Sequence, residues 1–248
     1  MKTTFKTIAI VSFLTSSVIL THSCEKNTNS DGSDMFAPFL SVSADGTSSI
    51  IEEKMLQALM VTAVITDDET NSLVNMREEE KLARDVYYAL KEKWGNITFT
   101  RISIAENNHM TALNTLLKAY GSSDTVITEK GVFTNQKVQE LYNGLVTSGS
   151  VSLIDAFKIG ALIEEMDIND IQDLLNTTDN ENIKMVFDNL ERGSRNHLRA
   201  FTRQLKLNGL TYNPVYISLE EYNSIINNPV ESGNHYRMNR NAVCIRNN

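Results

Sequence analysis

Glu106 and His109 stand three residues apart in a segment with helical periodicity. At that spacing two side chains leave a helix in one direction, so a carboxylate oxygen and an imidazole nitrogen can reach a single cation. Glu-x-x-His arises readily by chance, and its weight here comes from three further segments that each carry a polar residue where the apolar spacing demands burial. The stripe 73, 76, 80, 83, 87, 90, 94 turns Glu80 inward between Met76 and Ala83. The stripe 102, 106, 109, 113, 116, 120 does so for Glu106 and His109, and the stripe 154, 157, 161, 164, 168, 171, 175 for Glu164. In the stripe 190, 194, 197, 201 the polar residues are Ser194 and His197. Three carboxylates in one apolar core repel each other, and each is costly unless protonated, paired or bound to metal. A cation removes that cost, which makes Glu80, Glu106, His109, Glu164 and His197 the candidate metal ligands. A phase error of one residue exchanges Glu79 for Glu80 and Glu165 for Glu164. The metal-free alternative pairs the inward acids with Arg84, Arg195 or Arg199 as a buried ionic network.

The elements that must position these residues are helices. Only 3 Pro and 11 Gly in 248 residues, with 41% hydrophobic content, fit an all-α domain better than a sandwich or barrel. Long helices are expected at 68–94, stopped by Gly95, and at 100–120, stopped by Gly121. A shorter helix is expected at 135–146 after a loop with Gly131. A third long helix starts near residue 152 and runs to 175, with room for an interruption at 167–170, and the fourth spans 180–207. Tyr212, Pro214 and Tyr216 suggest an extended strap, and Ser218 with Glu221 reads as a capping box opening a last short helix to 226. Residues 50–65 read as an outer amphipathic helix, so the helical domain is placed at 50–226 and a polar, frayed tail at 227–248.

Di-metal carboxylate bundles take one Glu from each of two helices and Glu-x-x-His from each of the other two. The helix order here reads Glu80, Glu106-x-x-His109, Glu164, Ser194-x-x-His197, which fills five of six positions. Glu80-Lys81-Leu82-Ala83-Arg84-Asp85-Val86-Tyr87 resembles the first-helix Glu-x-x-Ala-Arg-x-x-Tyr stretch of rubrerythrin-type ferritin-like proteins. The stretch 79–87, Ile163-Glu164-Glu165 followed by Asp167-Ile168, and Gly193-Ser194-Arg195-Asn196-His197-Leu198-Arg199-Ala200-Phe201 more closely resemble the ferritin-like domain of unknown function 2202, over 73–226. The resemblance implies a ferritin-like four-helix bundle with an additional short helix in the long crossover, a C-terminal strap and short helix, and a core metal site. It transfers no substrate. Ser194 departs from the rubrerythrin pattern, which leaves a second ion more weakly held, or held by Glu165, Asp167 or Glu191 if the helix phase shifts around Gly193. Cysteine pairs with rubredoxin spacing do not occur, so an electron donor would be external.

Residues 1–23 have the layout of a signal peptide: Lys2 and Lys6, an apolar run at 8–20, then Thr21-His22-Ser23-Cys24. The small residue before Cys24 and the polar run after it resemble a bacterial lipoprotein cleavage site, although Thr21 stands where a branched aliphatic residue is usual. Cys24 is therefore the expected lipidation site, residues 24–49 a polar tether, and the location an exported, membrane-anchored one at the bacterial cell envelope. Losing Lys2 and Lys6 leaves 21 basic against 31 acidic residues and takes the formal charge from −8 to −10, which argues against a nucleic-acid partner. Partners are then metal ions, the membrane through the lipid, and an external electron donor, and a homodimer is compatible with the pattern. Iron, one or two ions, is the first cofactor expectation, with manganese or zinc also suited to the donors. The expected function is redox chemistry of oxygen, peroxide or ferrous iron. The alternatives are a bundle that binds metal without turnover and a plain interaction module.

Overall fold

Thr66 opens the first long helix with a reciprocal cap: its hydroxyl accepts from the Glu69 amide while the Glu69 carboxylate accepts from the Thr66 amide. The helix ends at Gly95, whose φ of 62° is the left-handed geometry glycine adopts without strain. Asn96 then caps the next helix, accepting from the Thr98 amide. With two residues between them, the helices must fold back on one another.

The computed structural model of the chain describes residues 39–59 and 64–233, all within one compact unit. The elements run β1 (Leu40–Val42), β2 (Ser48–Ile50), α1 (Glu52–Ala58), α2 (Asp67–Trp94), α3 (Ile97–Ala119), α4 (Gln136–Gly149), α5 (Leu153–Thr177), α6 (Glu181–Leu207) and α7 (Leu219–Asn227). The described residues are thus mainly helical. Helix α2 packs on α3 and α5 on α6, and the two pairs meet along the α2–α5 and α3–α6 seams. Helix α4 lies against α2 and α5. No described helix is long and apolar enough to cross a membrane.

Two apolar clusters fill the space between the four long helices. One contains Leu82, Val86, Tyr87, Phe99, Phe157 and Phe201; the other contains Leu73, Met76, Leu113, Leu116, Ile171 and Leu190. On α2, α3 and α6 the break between the clusters falls at the polar residues singled out above, and on α5 Glu164 interrupts the first cluster between Ile163 and Ile168, so the candidate ligands lie together in the interior of the bundle.

The structure corrects several expectations. Residues 39–49 are no tether: β1 and β2 pair antiparallel with Leu40 opposite Ile50, around a turn in which Asp45 accepts from the Ser43 hydroxyl and the Thr47 amide. Phe39 and Leu40 are buried in the second cluster, and the hairpin packs on α3 and α6. Helix α1 is far shorter than 50–65. Helix α5 has no interruption at 167–170, because its apolar residues keep one phase across those acids. Ser218 caps α7, its hydroxyl accepting from the Glu221 amide, and the Glu221 carboxylate accepts from Gln172. The first residues of the expected polar tail are anchored, since Glu231 pairs with Arg195 and Arg199 on α6. The expected signal peptide, Cys24 and residues 234–248 lie outside the described residues.

Candidate metal centre

Helix α2 supplies Glu80, α3 supplies Glu106 and His109, α5 supplies Glu164 and α6 supplies His197, and all five side chains have no exposure to solvent. The structure brings all five together. They form two triads, Glu80–Glu106–His109 and Glu106–Glu164–His197, each able to offer three ligand atoms within 4.8 Å of one another. Glu106 belongs to both. Its Oε2 is 2.9 Å from His109 Nδ1 and its Oε1 is 3.0 Å from His197 Nδ1. Glu80 Oε2 lies 3.1 Å from His109 Nδ1 and Glu164 Oε2 lies 3.4 Å from His197 Nδ1. The imidazoles stack, with centroids 5.4 Å apart and planes 20° from parallel.

Closeness here is not hydrogen bonding. His109 Nδ1 and Glu80 Oε2 are aligned for a bond, but Glu80 Oε1, both Glu106 oxygens, Glu164 Oε2, both His197 nitrogens and His109 Nε2 have no hydrogen-bond partner. Buried polar atoms are rarely left so, and each costs about 1–3 kcal/mol. Imidazole nitrogens and carboxylate oxygens that converge with most of them unpartnered suit a cation. The donor set, imidazole with carboxylate, accepts iron, manganese or zinc.

The protonation of the cluster follows from the same crowding. Burial pushes the Glu80 and Glu164 carboxyls up to about 7, although His109 and His197 respectively oppose the rise. Burial works against ionisation of Glu106 too, but flanking His197 and His109 hold it well below the usual carboxylate range. Burial disfavours a charged His109, yet Glu80 and Glu106 raise it to about 9. His197 is raised well above its ordinary value by Glu106 and Glu164 in spite of burial. The centre therefore holds protons that a cation would displace.

The alternatives left open by phase differ in their partners. Glu165 points away from the centre, accepting from the Tyr212 hydroxyl at 2.5 Å and the Val215 amide at 3.0 Å, and so moors the strap. Glu79 is not in either triad. Ser194 is buried in the stripe, and its hydroxyl donates to the Leu190 carbonyl at 3.3 Å. Glu191 is engaged by Arg195 and Gln172, which removes it as a substitute ligand. Nor do the arginines neutralise the core: Arg84 pairs with Asp85, Arg195 with Glu191 and Glu231, and Arg199 with Glu231. Asp167, one turn from Glu164, is the remaining acid beside the centre; burial and the Glu80, Glu164 and Glu106 charges raise its carboxyl well above the ordinary range.

The sequence marks Gly193 only as a place where the helix phase could shift. A Cβ at this position would overlap Nε2 and Cε1 of His109, so glycine in mid-helix makes room for the imidazole. A glycine inside an apolar helical stripe was the available signal, because that placement costs about 1 kcal/mol relative to alanine. Tyr87 donates to Glu164 Oε1 at 2.6 Å and fixes that carboxylate.

Long helices around a buried layer of carboxylates and imidazoles define a helical protein with a candidate metal centre. The chain belongs to the family described as Uncharacterized protein domain (DUF2202), whose match spans residues 69–229 and so takes in nearly all of α2 through α7. It is similar to "Uncharacterized protein MJ0754" of Methanocaldococcus jannaschii, at 49% identity over 170 residues, 68% of this chain and 92% of that protein. The crystal structure described as hypothetical protein MJ0754 from Methanococcus jannaschii is similar with a TM-score of 0.68 and 47% identity, covering 70% of this chain and 99% of that one. The hairpin and α1 lie outside the family match.

Proposed function

We propose that the protein is a ferritin-like metal protein that holds two ions, iron foremost, on Glu80, Glu106, His109, Glu164 and His197, and that it carries out redox chemistry with peroxide, oxygen or ferrous iron. The observation that carries this reading is the sharing of Glu106 between two buried triads. A carboxylate with one oxygen toward each triad can bridge two ions, the arrangement of di-metal carboxylate sites. The long connection carrying α4 between the two helix pairs supports the ferritin-like reading.

When bound, a pair of ferrous ions would supply the two electrons that reduce one peroxide, with two protons, to two waters. The chain's own residues set the conditions. Tyr87 holds Glu164 in place, Gly193 lets His109 approach, and the apolar clusters on either side exclude bulk water. Re-reduction needs a separate donor.

The segment 8–20 followed by Cys24 supports export and lipid anchoring, and this location is part of the proposal. The test loads the chain with ferrous iron without air, adds peroxide or oxygen, and follows iron oxidation and oxidant loss. Oxidation faster than for free iron, abolished in Glu106→Ala, supports turnover. Tight binding without acceleration leaves a metal-binding bundle, the second reading, which Ser194 favours by taking the place of a sixth ligand.

A further inference from the structure

The candidate centre is walled on most sides. One apolar cluster closes the end toward Tyr87, Phe99 and Phe201, and the other closes the end toward Met76, Leu113 and Leu190. The hairpin lies over the α3–α6 seam, with Asn108 bonded to the Ser48 carbonyl and Arg192 to the Leu40 carbonyl. A charged ion crosses such walls only along a polar path.

The α2–α5 seam is built differently. Glu164, Asp167 and Asp170 follow one another at three-residue steps along α5, passing from fully buried through buried to half-buried. Glu79 lies on α2, the helix across this seam. Asp167 is only 4% exposed, yet its Oδ2 has no hydrogen-bond partner, and Glu79 Oε2 is likewise buried without one. No ion pair engages Asp167, Glu79 or Asp170 among the described residues. The charges that act on Glu79 are Asp170, Glu80 and Glu78; those that act on Asp167 are Glu80, Glu164, Glu106 and Glu79. Glu79 thus feels the charge of the outer Asp170 and acts on the inner Asp167. Asp170 accepts from the Asn169 amide group at 3.0 Å, but none of the three acids is neutralised by a cationic side chain among the described residues.

We propose that Asp170, Glu79 and Asp167 form the access path by which divalent cations reach the centre, handing a partly hydrated ion from solvent to the ligands. This inference rests on the metal-centre reading. Removing one acid lowers the pull on an approaching ion without touching the ligands, so the path acts on the rate of uptake and not on the final load.

The test mixes metal-free full chain with cobalt(II) in a stopped-flow instrument and follows the visible absorption of the bound ion. The variants are Glu79→Gln with Asp170→Asn, and, as a control for net charge, Asp68→Asn with Asp173→Asn, one exposed acid on each of the same two helices. Neutralising acids that make no ion pair removes repulsion, and asparagine at 170 keeps an oxygen to accept from Asn169, so the variants keep the fold. The expected result is uptake slowed about tenfold or more in the double variant, an unchanged final cobalt content, and a change within about twofold in the control. Uptake in the double variant as fast as in the control overturns the path. So does a lower final content, which would make the pair ligands. A wild-type chain that takes up no cobalt overturns the metal centre itself, and the path with it.

Discussion

Gly193→Ala places one methyl group against the His109 ring, and its effect can be worked through in steps. In a helix interior the change alone gains about 1 kcal/mol. The new Cβ would overlap His109 Nε2 and Cε1, and such overpacking costs about 1–3 kcal/mol. The metal-free protein should therefore lose between nothing and about 2 kcal/mol, a fall in Tm of at most about 8 °C for a domain of this size. The larger effect falls on metal. Relief of the overlap turns the imbalance into movement of His109 Nδ1 away from Glu106 at 2.9 Å and Glu80 at 3.1 Å. A disturbed ligand weakens binding about 10- to 100-fold. Metal-induced stabilisation then shrinks by about 1.4–2.7 kcal/mol, or about 3–11 °C in Tm at fixed metal concentration. The assay is thermal unfolding of both proteins with and without added cobalt(II). A variant that is about 1 kcal/mol more stable and gains the full wild-type shift with metal would refute the reasoning, since His109 would then not need the space.

Glu164→Gln should lose metal from the centre, whereas Glu165→Gln should keep the full load and loosen the strap, seen as protease cleavage at 210–217; metal loss in the second variant would reverse the assignment. Removal of the acid in Glu231→Ala leaves Arg195 and Arg199 short of a buried partner and should cost about 3 kcal/mol, a Tm lower by about 6–12 °C, while an unchanged Tm would show that the anchored segment 228–233 adds nothing. Metal-free protein should lose stability as pH rises from about 5 to 9. Glu80 and Glu164 titrate near 7 in the fold, above their ordinary 4.5, so their contribution is complete below 4.5 and lost through 7; His109, raised from 6.5 to about 9, contributes fully below 6.5 and loses it through 9. Added metal should stabilise most at the alkaline end, and a pH-independent Tm without metal would contradict the shared-proton cluster.

The helices and the ligand layer were legible because burial imposes period: Glu80, Glu106, His109, Glu164 and His197 each interrupt a stripe whose other members had to be inside. Their convergence at one height needed no more than antiparallel packing of stripes of similar length. The hairpin at 40–50 escaped the reading because its serines, with Asp45 and Thr47, outnumber its apolar residues. Its signal was present in Asp45-Gly46, a turn dipeptide between Leu40, Val42 and Ile50. Glu231 could not have been found this way, since its partners lie on α6, 32 and 36 positions away in sequence. The difference between Glu164 and Glu165 was open for a related reason: neighbours on a helix differ by 100° of azimuth, and only the strap, which comes from residues 212–217, shows which of them is already engaged.

The most direct measurement is an anomalous-difference map at the iron edge, from crystals of the chain loaded with ferrous iron in the absence of air. Two peaks about 3.5–4 Å apart, one on each side of the Glu106 carboxylate, are expected. No peak among the four long helices, or a single peak out of reach of Glu106, would contradict a two-ion centre built on a shared glutamate.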